Sequence, residues 1–238
     1  MAPKVIVSYD DTANDRDALA LGKLLADAGA ALSLAYVRHN QESEIAHERL
    51  EQREAEELLA RGARSLGVDV ARHVVLSAST GQGLWDLAER EGADIVLFGS
   101  DYRTPAGRVQ PGTSARRLLD GGPVGLGFAP ADLRDQESIE IERIGVIPDE
   151  GLGAAVQTAS ALASKLGASV ARSIDEPIDL LVVESRPEAP EGRVMMSAAV
   201  EYAIENATCP VLVVPRNTPV RFDATAAPAT STSTTTTA

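Results

Sequence analysis

Asp94-Ile95-Val96-Leu97-Phe98-Gly99-Ser100 recurs at an offset of 85 as Asp179-Leu180-Leu181-Val182-Val183-Glu184-Ser185. Pro105-Ala106-Gly107-Arg108-Val109 recurs at the same offset as Pro190-Glu191-Gly192-Arg193-Val194. An apolar run and a turn repeated with their spacing intact mark an internal duplication, which constrains the fold more than any single motif. The opening segments repeat too. Val5-Ile6-Val7 resembles Ile144-Gly145-Val146-Ile147, and the helical run closed by Ala28-Gly29-Ala30 resembles Ala154 to Leu166 closed by Gly167-Ala168, at an offset of 138. The second copy therefore lacks 53 residues, which cover the second and third strands and the helices around them.

In the first copy, Val5–Tyr9, Ala31–Val37, His73–Leu76, Asp94–Phe98 and Val124–Phe128 read as short strands. Between them, amphipathic runs from about Thr12 to Ala28, Glu42 to Leu66, Gly83 to Glu91 and Thr113 to Leu119 read as helices. Strands alternating with helices predict an α/β fold, a doubly wound parallel five-stranded sheet of order 3-2-1-4-5 with helices on both faces. Any ligand site lies at the carboxyl ends of its strands. Loss of strands 2 and 3 leaves strands 1, 4 and 5 adjacent, so the second copy is expected as a truncated α/β repeat that leans on the first. The expected organisation is a complete domain over residues 1–130, a charged linker over 131–143, the truncated repeat over 144–216 and a disordered low-complexity tail over 217–238.

A balance of 22 basic against 35 acidic residues gives a net charge of -13, which repels phosphate backbones and anionic lipid, so no nucleic-acid or membrane partner is expected. No apolar run approaches the roughly 20 residues that span a bilayer. Cys209, the single cysteine, permits no internal disulfide and reads as a core residue ahead of a strand; the expected compartment is the cytoplasm. His39, His47 and His73 show no ligand spacing, and the chain has no Walker loop, nucleophile elbow or paired-cysteine site, so no enzyme activity is expected.

The chemistry concentrates between Gly99 and Ser114. A strand that ends in glycine, an irregular Gly/Pro segment and then Gly112-Thr113-Ser114 opening a helix aims backbone N–H groups and hydroxyls at an anion. Arg103 and Arg108 add charge. Arg108 recurs as Arg193, which fits an interface role as readily as a phosphate contact. Asp10 and Asp11, after the first strand, supply helix caps or a metal contact.

The order Gly99, two residues, Tyr102, nine residues, Gly112, Thr113 resembles the nucleotide-binding pattern of the universal stress protein family. That pattern is Gly, two residues, Gly, nine residues, Gly, then Ser or Thr; here Tyr102 stands in place of the second glycine. The resemblance extends to Val5–Asp10, to Val37 and to Cys209-Pro210-Val211-Leu212-Val213-Val214 as the last strand. It implies an adenine nucleotide alpha hydrolase-like fold and a stress-response protein that binds ATP or AMP; a magnesium contact at Asp10 is suggested by the acidic pair after the first strand, beside the helix-cap reading. By that resemblance Asp10 lies near the adenine and ribose, the backbone at Val37 faces the adenine, and Gly99, Gly112, Thr113 and Ser114 hold the phosphates, with Tyr9, Tyr102 and Arg108 bordering the site. Two other readings stay open: a scaffold or regulatory partner without nucleotide, which Tyr102 suggests, and a slow ATP hydrolase that uses Asp10 and a metal. In the second copy Glu184 replaces Gly99, Ser197 replaces Gly112, Ala198 replaces Thr113 and Pro148 replaces Asp10, so it is expected to bind none. Family dimers pair their last strands across a two-fold axis. A tandem can do so within one chain, so Val124–Phe128 is expected antiparallel to Val211–Val214; a separate protein partner or a homodimer fits the same fold.

Overall fold

The computed structural model describes residues 1–39, 45–147, 153–171 and 176–222. The first repeat runs β1 (Lys4–Ser8), α1 (Ala13–Asp27), β2 (Ala31–His39), α2 (Ile45–Leu66), β3 (Ala71–Ser77), α3 (Thr80–Glu91), β4 (Ile95–Gly99), α4 (Thr113–Leu119), β5 (Asp120–Gly122) and β6 (Gly125–Ala129). The second runs β7 (Arg143–Ile147), α5 (Ala154–Leu166), β8 (Ser169–Val170), β9 (Leu180–Glu184), β10 (Val194–Met195), α6 (Ala198–Asn206) and β11 (Val211–Val214). The expected start of α2 at Glu42 lies outside the described residues. Helix α1 begins with a capping box, in which Thr12 Oγ accepts from Asp15 N–H at 3.3 Å and the Asp15 carboxylate accepts from Thr12 N–H at 3.1 Å. Helix α3 begins at Thr80, ahead of the expected Gly83, because Ser79 Oγ accepts from Gln82 N–H at 3.3 Å.

All the long strands join one nine-stranded sheet of order β3-β2-β1-β4-β6-β11-β9-β7-β8. The first repeat keeps the 3-2-1-4-5 order. The two repeats meet back to back through the expected antiparallel pair, with Val211 opposite Phe128, Leu212 opposite Gly127 and Val213 opposite Leu126. A second contact, β10 on β5, places Val194 opposite Gly122. Apolar cores line both faces and cross the junction: Leu21, Leu97, Leu212 and Phe222 on the side of α1, α2 and α5, and Phe98, Phe128, Leu181 and Val213 on the side of α3, α4 and α6. Phe98 and Phe128 stack with ring centroids 6.2 Å apart. Among the described residues no helix is long and apolar enough to cross a membrane.

Four expectations need correction. The second strand of the second repeat is not wholly lost: β8 pairs with β7 in parallel, Ser169 opposite Arg143, as Ala31 pairs with Lys4. These pairings also move the equivalence of the first strands. Ile144 pairs with Leu180 as Val5 pairs with Ile95, so Ile144 corresponds to Val5 and the offset there is 139. A loop one residue shorter in the second repeat hid the shift; Pro148, expected in place of Asp10, lies outside the described residues. The disordered tail expected from residue 217 does not start there. Val220 and Phe222 are buried, and Val220 N–H donates to the buried Thr158 hydroxyl at 2.9 Å. Finally, the charged linker is held against the core by Leu133, Ile141 and an ion pair between Arg134 and the buried Asp17.

Candidate functional site

The carboxyl ends of β1, β2 and β4 meet the amino ends of α1 and α4 where the strand order reverses about β1, the position at which doubly wound sheets hold ligands. The peptide groups of alternate residues in β2 face alternate neighbours. Ala35 faces β1, since its carbonyl accepts from Tyr9 N–H at 2.9 Å, and Val37, two residues on, faces the same way. The last β1–β2 pair is Ser8 with Ala35, so the Val37 N–H and C=O point past the end of β1. The Val37 side chain is buried beneath α3, against Gly83.

The turn after β1 is closely tied. Asp11 takes a left-handed conformation with φ 58°. Its carboxylate accepts from the Tyr9 hydroxyl at 2.8 Å and from Arg61 at 3.0 Å, and these bonds hold it below the usual carboxylate range. Burial and the neighbouring Asp11 push the Tyr9 phenol up to about 12. Tyr9 is a core side chain on the α1–α2 face, the opposite face to Val37. Asp10 is exposed and its N–H donates to the Asp15 carboxylate at 2.9 Å. Partial desolvation and the negative Asp15 raise the Asp10 carboxyl above its ordinary range, while His39 pulls it the other way.

Gly99 and Gly112 differ in what they do. A Cβ on Gly99 would collide with the Asn14 carbonyl in the first turn of α1, and Asn14 Nδ2 donates to the Ser100 carbonyl at 2.6 Å. Packing alone demands that glycine. Gly112, with φ -73° and ψ 174°, has a backbone any residue adopts, and no atom lies within 4 Å of where its Cβ would be. It caps α4 without a side-chain hydrogen bond, whereas its counterpart Ser197 caps α6 by accepting from Val200 N–H at 3.3 Å. Thr113 is exposed and Ser114 half-buried beside it.

The other expected residues lie around this centre. Tyr102 is 74% exposed and stacks on the Arg103 guanidinium, 4.9 Å from the ring centroid, so it does not fill the space over Gly112. Arg108 donates to the Asn206 carbonyl at 3.2 Å, the end of α6 in the other repeat, where a cation complements the helix dipole. Its counterpart Arg193 lies 5.6 Å over the Trp85 ring of α3 and 3.5 Å from Glu89. Both arginines therefore bridge the repeats. Sequence reading missed Asn14, since nothing local announces a contact across 86 positions. Among the described residues no group of three acidic, histidine or cysteine side chains is arranged to hold a metal.

The second repeat builds the same loop and closes it. Ser185 Oγ accepts from Met195 N–H at 2.7 Å as Ser100 Oγ accepts from Gln110 N–H at 3.2 Å. At the strand end, Glu184 is buried, and its carboxylate accepts from Ala155 N–H at 3.1 Å, at the start of α5, and from Asn217 N–H at 3.4 Å. A carboxylate of the chain itself thus occupies the amino end of that helix.

The family model described as the universal stress protein family matches residues 1–124. No curated protein matches the chain. A universal stress protein from Archaeoglobus fulgidus is similar in structure, with a TM-score of 0.66 at 15% identity over 90% of this chain and 98% of that one. A universal stress protein of Pseudomonas aeruginosa is similar with a TM-score of 0.62 at 13% identity, over 91% and 94% of the two chains. These likenesses extend the shared fold over both repeats, and with the family match across the first, the chain belongs to the universal stress protein family.

Proposed function

We propose that the first repeat, residues 1–130, binds one adenine nucleotide, ATP or AMP, and that the truncated repeat binds none. The observation that carries this reading is Gly112, a helix-capping glycine with no conformational or packing need to be one. The second repeat accepts a capping serine at the same place, so the fold tolerates a side chain there. Leaving the position bare opens the α4 N–H groups and the Thr113 and Ser114 hydroxyls to a phosphate. The Val37 peptide groups, directed past the end of β1, suit the hydrogen-bonding edge of an adenine, and Asp10 suits a ribose hydroxyl or a magnesium ion held with the phosphates. Glu184 is the reason the second repeat is excluded: it places a negative charge where the nucleotide would bring its own. Calorimetric titration of the full chain with ATP, ADP and AMP, with and without magnesium, tests the reading. One site per chain is expected, and absence of binding favours the scaffold.

A further inference from the structure

Arg116 on α4 and Glu201 on α6 are the same position in the two repeats at the offset of 85, and Arg116 Nη1 lies 3.6 Å from Glu201 Oε1. Gly127 and Leu212 likewise face each other as counterparts in the antiparallel strand pair, so the local two-fold relation of the repeats runs through both contacts. Equivalent positions that meet in this way confront like with like if they are unchanged. Here the signs are opposite, which makes the contact attractive only between a first repeat and a truncated one. Both side chains are exposed, and an exposed ion pair adds little to folding. What it fixes is where the rest of the guanidinium points.

The other side of that guanidinium reaches the loop. Arg116 Nε donates to the Pro111 carbonyl at 3.2 Å, and the Arg116 N–H donates to the Gly112 carbonyl at 3.0 Å. In a trans peptide the C=O and the following N–H point in opposite directions, so a fixed Pro111 carbonyl fixes the direction of the Gly112 N–H. Gly112 needs such a tie, because it has no side chain with which to cap its helix and glycine has the widest choice of backbone conformation. The second repeat meets the same need locally. There Ser197 caps α6 with its own hydroxyl, and Met196 and Glu201 stand in the places of Pro111 and Arg116. Helix α6 supports the far side of the loop as well: the carbonyl of its last residue, Asn206, holds Arg108, and Val109 is buried in one cluster with Val200 and Ile204.

We propose that Arg116 and Glu201 are positioning residues for the Gly112 N–H, so that the truncated repeat orders the backbone that, on the reading of the nucleotide site given above, receives a phosphate. Glu201 holds Arg116 from the far side, and Arg116 holds the peptide. A second copy of the first repeat could not do this, since it would bring Arg116 against Arg116.

The test uses the full-length chain with Glu201→Gln, which keeps the size of the side chain and removes its charge. By electrostatics alone, the loss of a carboxylate leaves the affinity for anionic ATP equal or tighter. The reverse is expected: about three- to fivefold weaker binding in calorimetry, with an unchanged melting temperature. In the nucleotide-free protein, backbone order parameters from NMR relaxation are expected to fall at Gly112 and Thr113 and to hold in the sheet. Glu205→Gln, at an exposed position on the same helix, is the charge control and is expected to leave both readings at the wild-type level. In an Arg116→Gln background Glu201→Gln is expected to add nothing, because the two residues act in series. Equal or tighter ATP binding by Glu201→Gln, unchanged order parameters at Gly112, or a further loss on top of Arg116→Gln overturns the proposal. The relaxation measurement needs no ligand, so a wild type that binds no ATP defeats the nucleotide reading while the order parameters still decide whether Glu201 orders Gly112.

Discussion

Asp17 and Arg134 stand 2.9 Å apart, the carboxylate fully buried on α1 and the guanidinium on the segment that joins the repeats. The same carboxylate accepts from the backbone N–H groups of Asp132 at 3.1 Å and Arg134 at 2.9 Å. A charge this deep is stabilising only while all its partners remain. Asp17→Ala leaves two backbone N–H groups without their acceptor and takes one of the carboxylates from Arg134, which keeps Asp132 and the Ala13 carbonyl, so a loss of about 3 kcal/mol is expected in urea denaturation. Asp17→Asn keeps an acceptor oxygen and should lose about half as much; equal losses would contradict the geometry.

Glu184 stabilises the second repeat by capping α5 and holding Asn217. Its replacement by alanine is expected to cost about 1–3 kcal/mol, because the Ala155 N–H loses a buried acceptor. The same variant should gain no ATP affinity, since β8 stops at Val170, the counterpart of Leu32, well short of the place of Val37. Thermal melts with and without ATP check both outcomes.

Burial raises the Tyr9 phenol to about 12 from its ordinary 10. Because the folded pKa lies above the unfolded one, the stability tied to the neutral phenol is fully present below pH 10 and is lost as pH rises toward 12. Tyr9→Phe removes the ionisable group, so the wild type should lose roughly 2 kcal/mol more than the variant over that interval. Parallel alkaline denaturation curves for the two proteins would refute the assignment.

Gly107 and Gly192 occupy the same turn in the two repeats, with φ 71° and 72°. Replacing either with valine forces a β-branched side chain into the left-handed region, and each is expected to cost about 1–2 kcal/mol. Equal losses in chemical denaturation would show that the Pro-x-Gly-Arg turn is scaffold in both copies. Neither variant reads ligand binding.

Much of this architecture was legible because a duplication compares a chain with itself. The offset of 85 exposed the paired strands and loops, and the order of a doubly wound sheet then placed Val124–Phe128 against Val211–Val214. Register was harder to read. An offset of 138 at Gly167 and 139 at Ile144 differ by one loop residue, and only the pairing of Ile144 with Leu180 shows it. Contacts remote in sequence carried no local signal: Asp17 with Arg134, Asn14 with Gly99, and Phe222 in the core all depend on tertiary neighbours. At the site, the spacing of Gly99 and Gly112 drew attention to both, but one is required by the helix beside it and the other is not. Arg108 had two readings of equal standing until the Asn206 carbonyl appeared beside its guanidinium.

Gly112→Val tests the central claim most directly. Its backbone suits valine and the space around it is open, so the variant should fold with an unchanged melting temperature. Calorimetric titration with ATP and AMP should find one site per chain in the wild type and at least a hundredfold weaker binding in the variant. Undiminished affinity in Gly112→Val, or no binding by the wild type, would contradict the account.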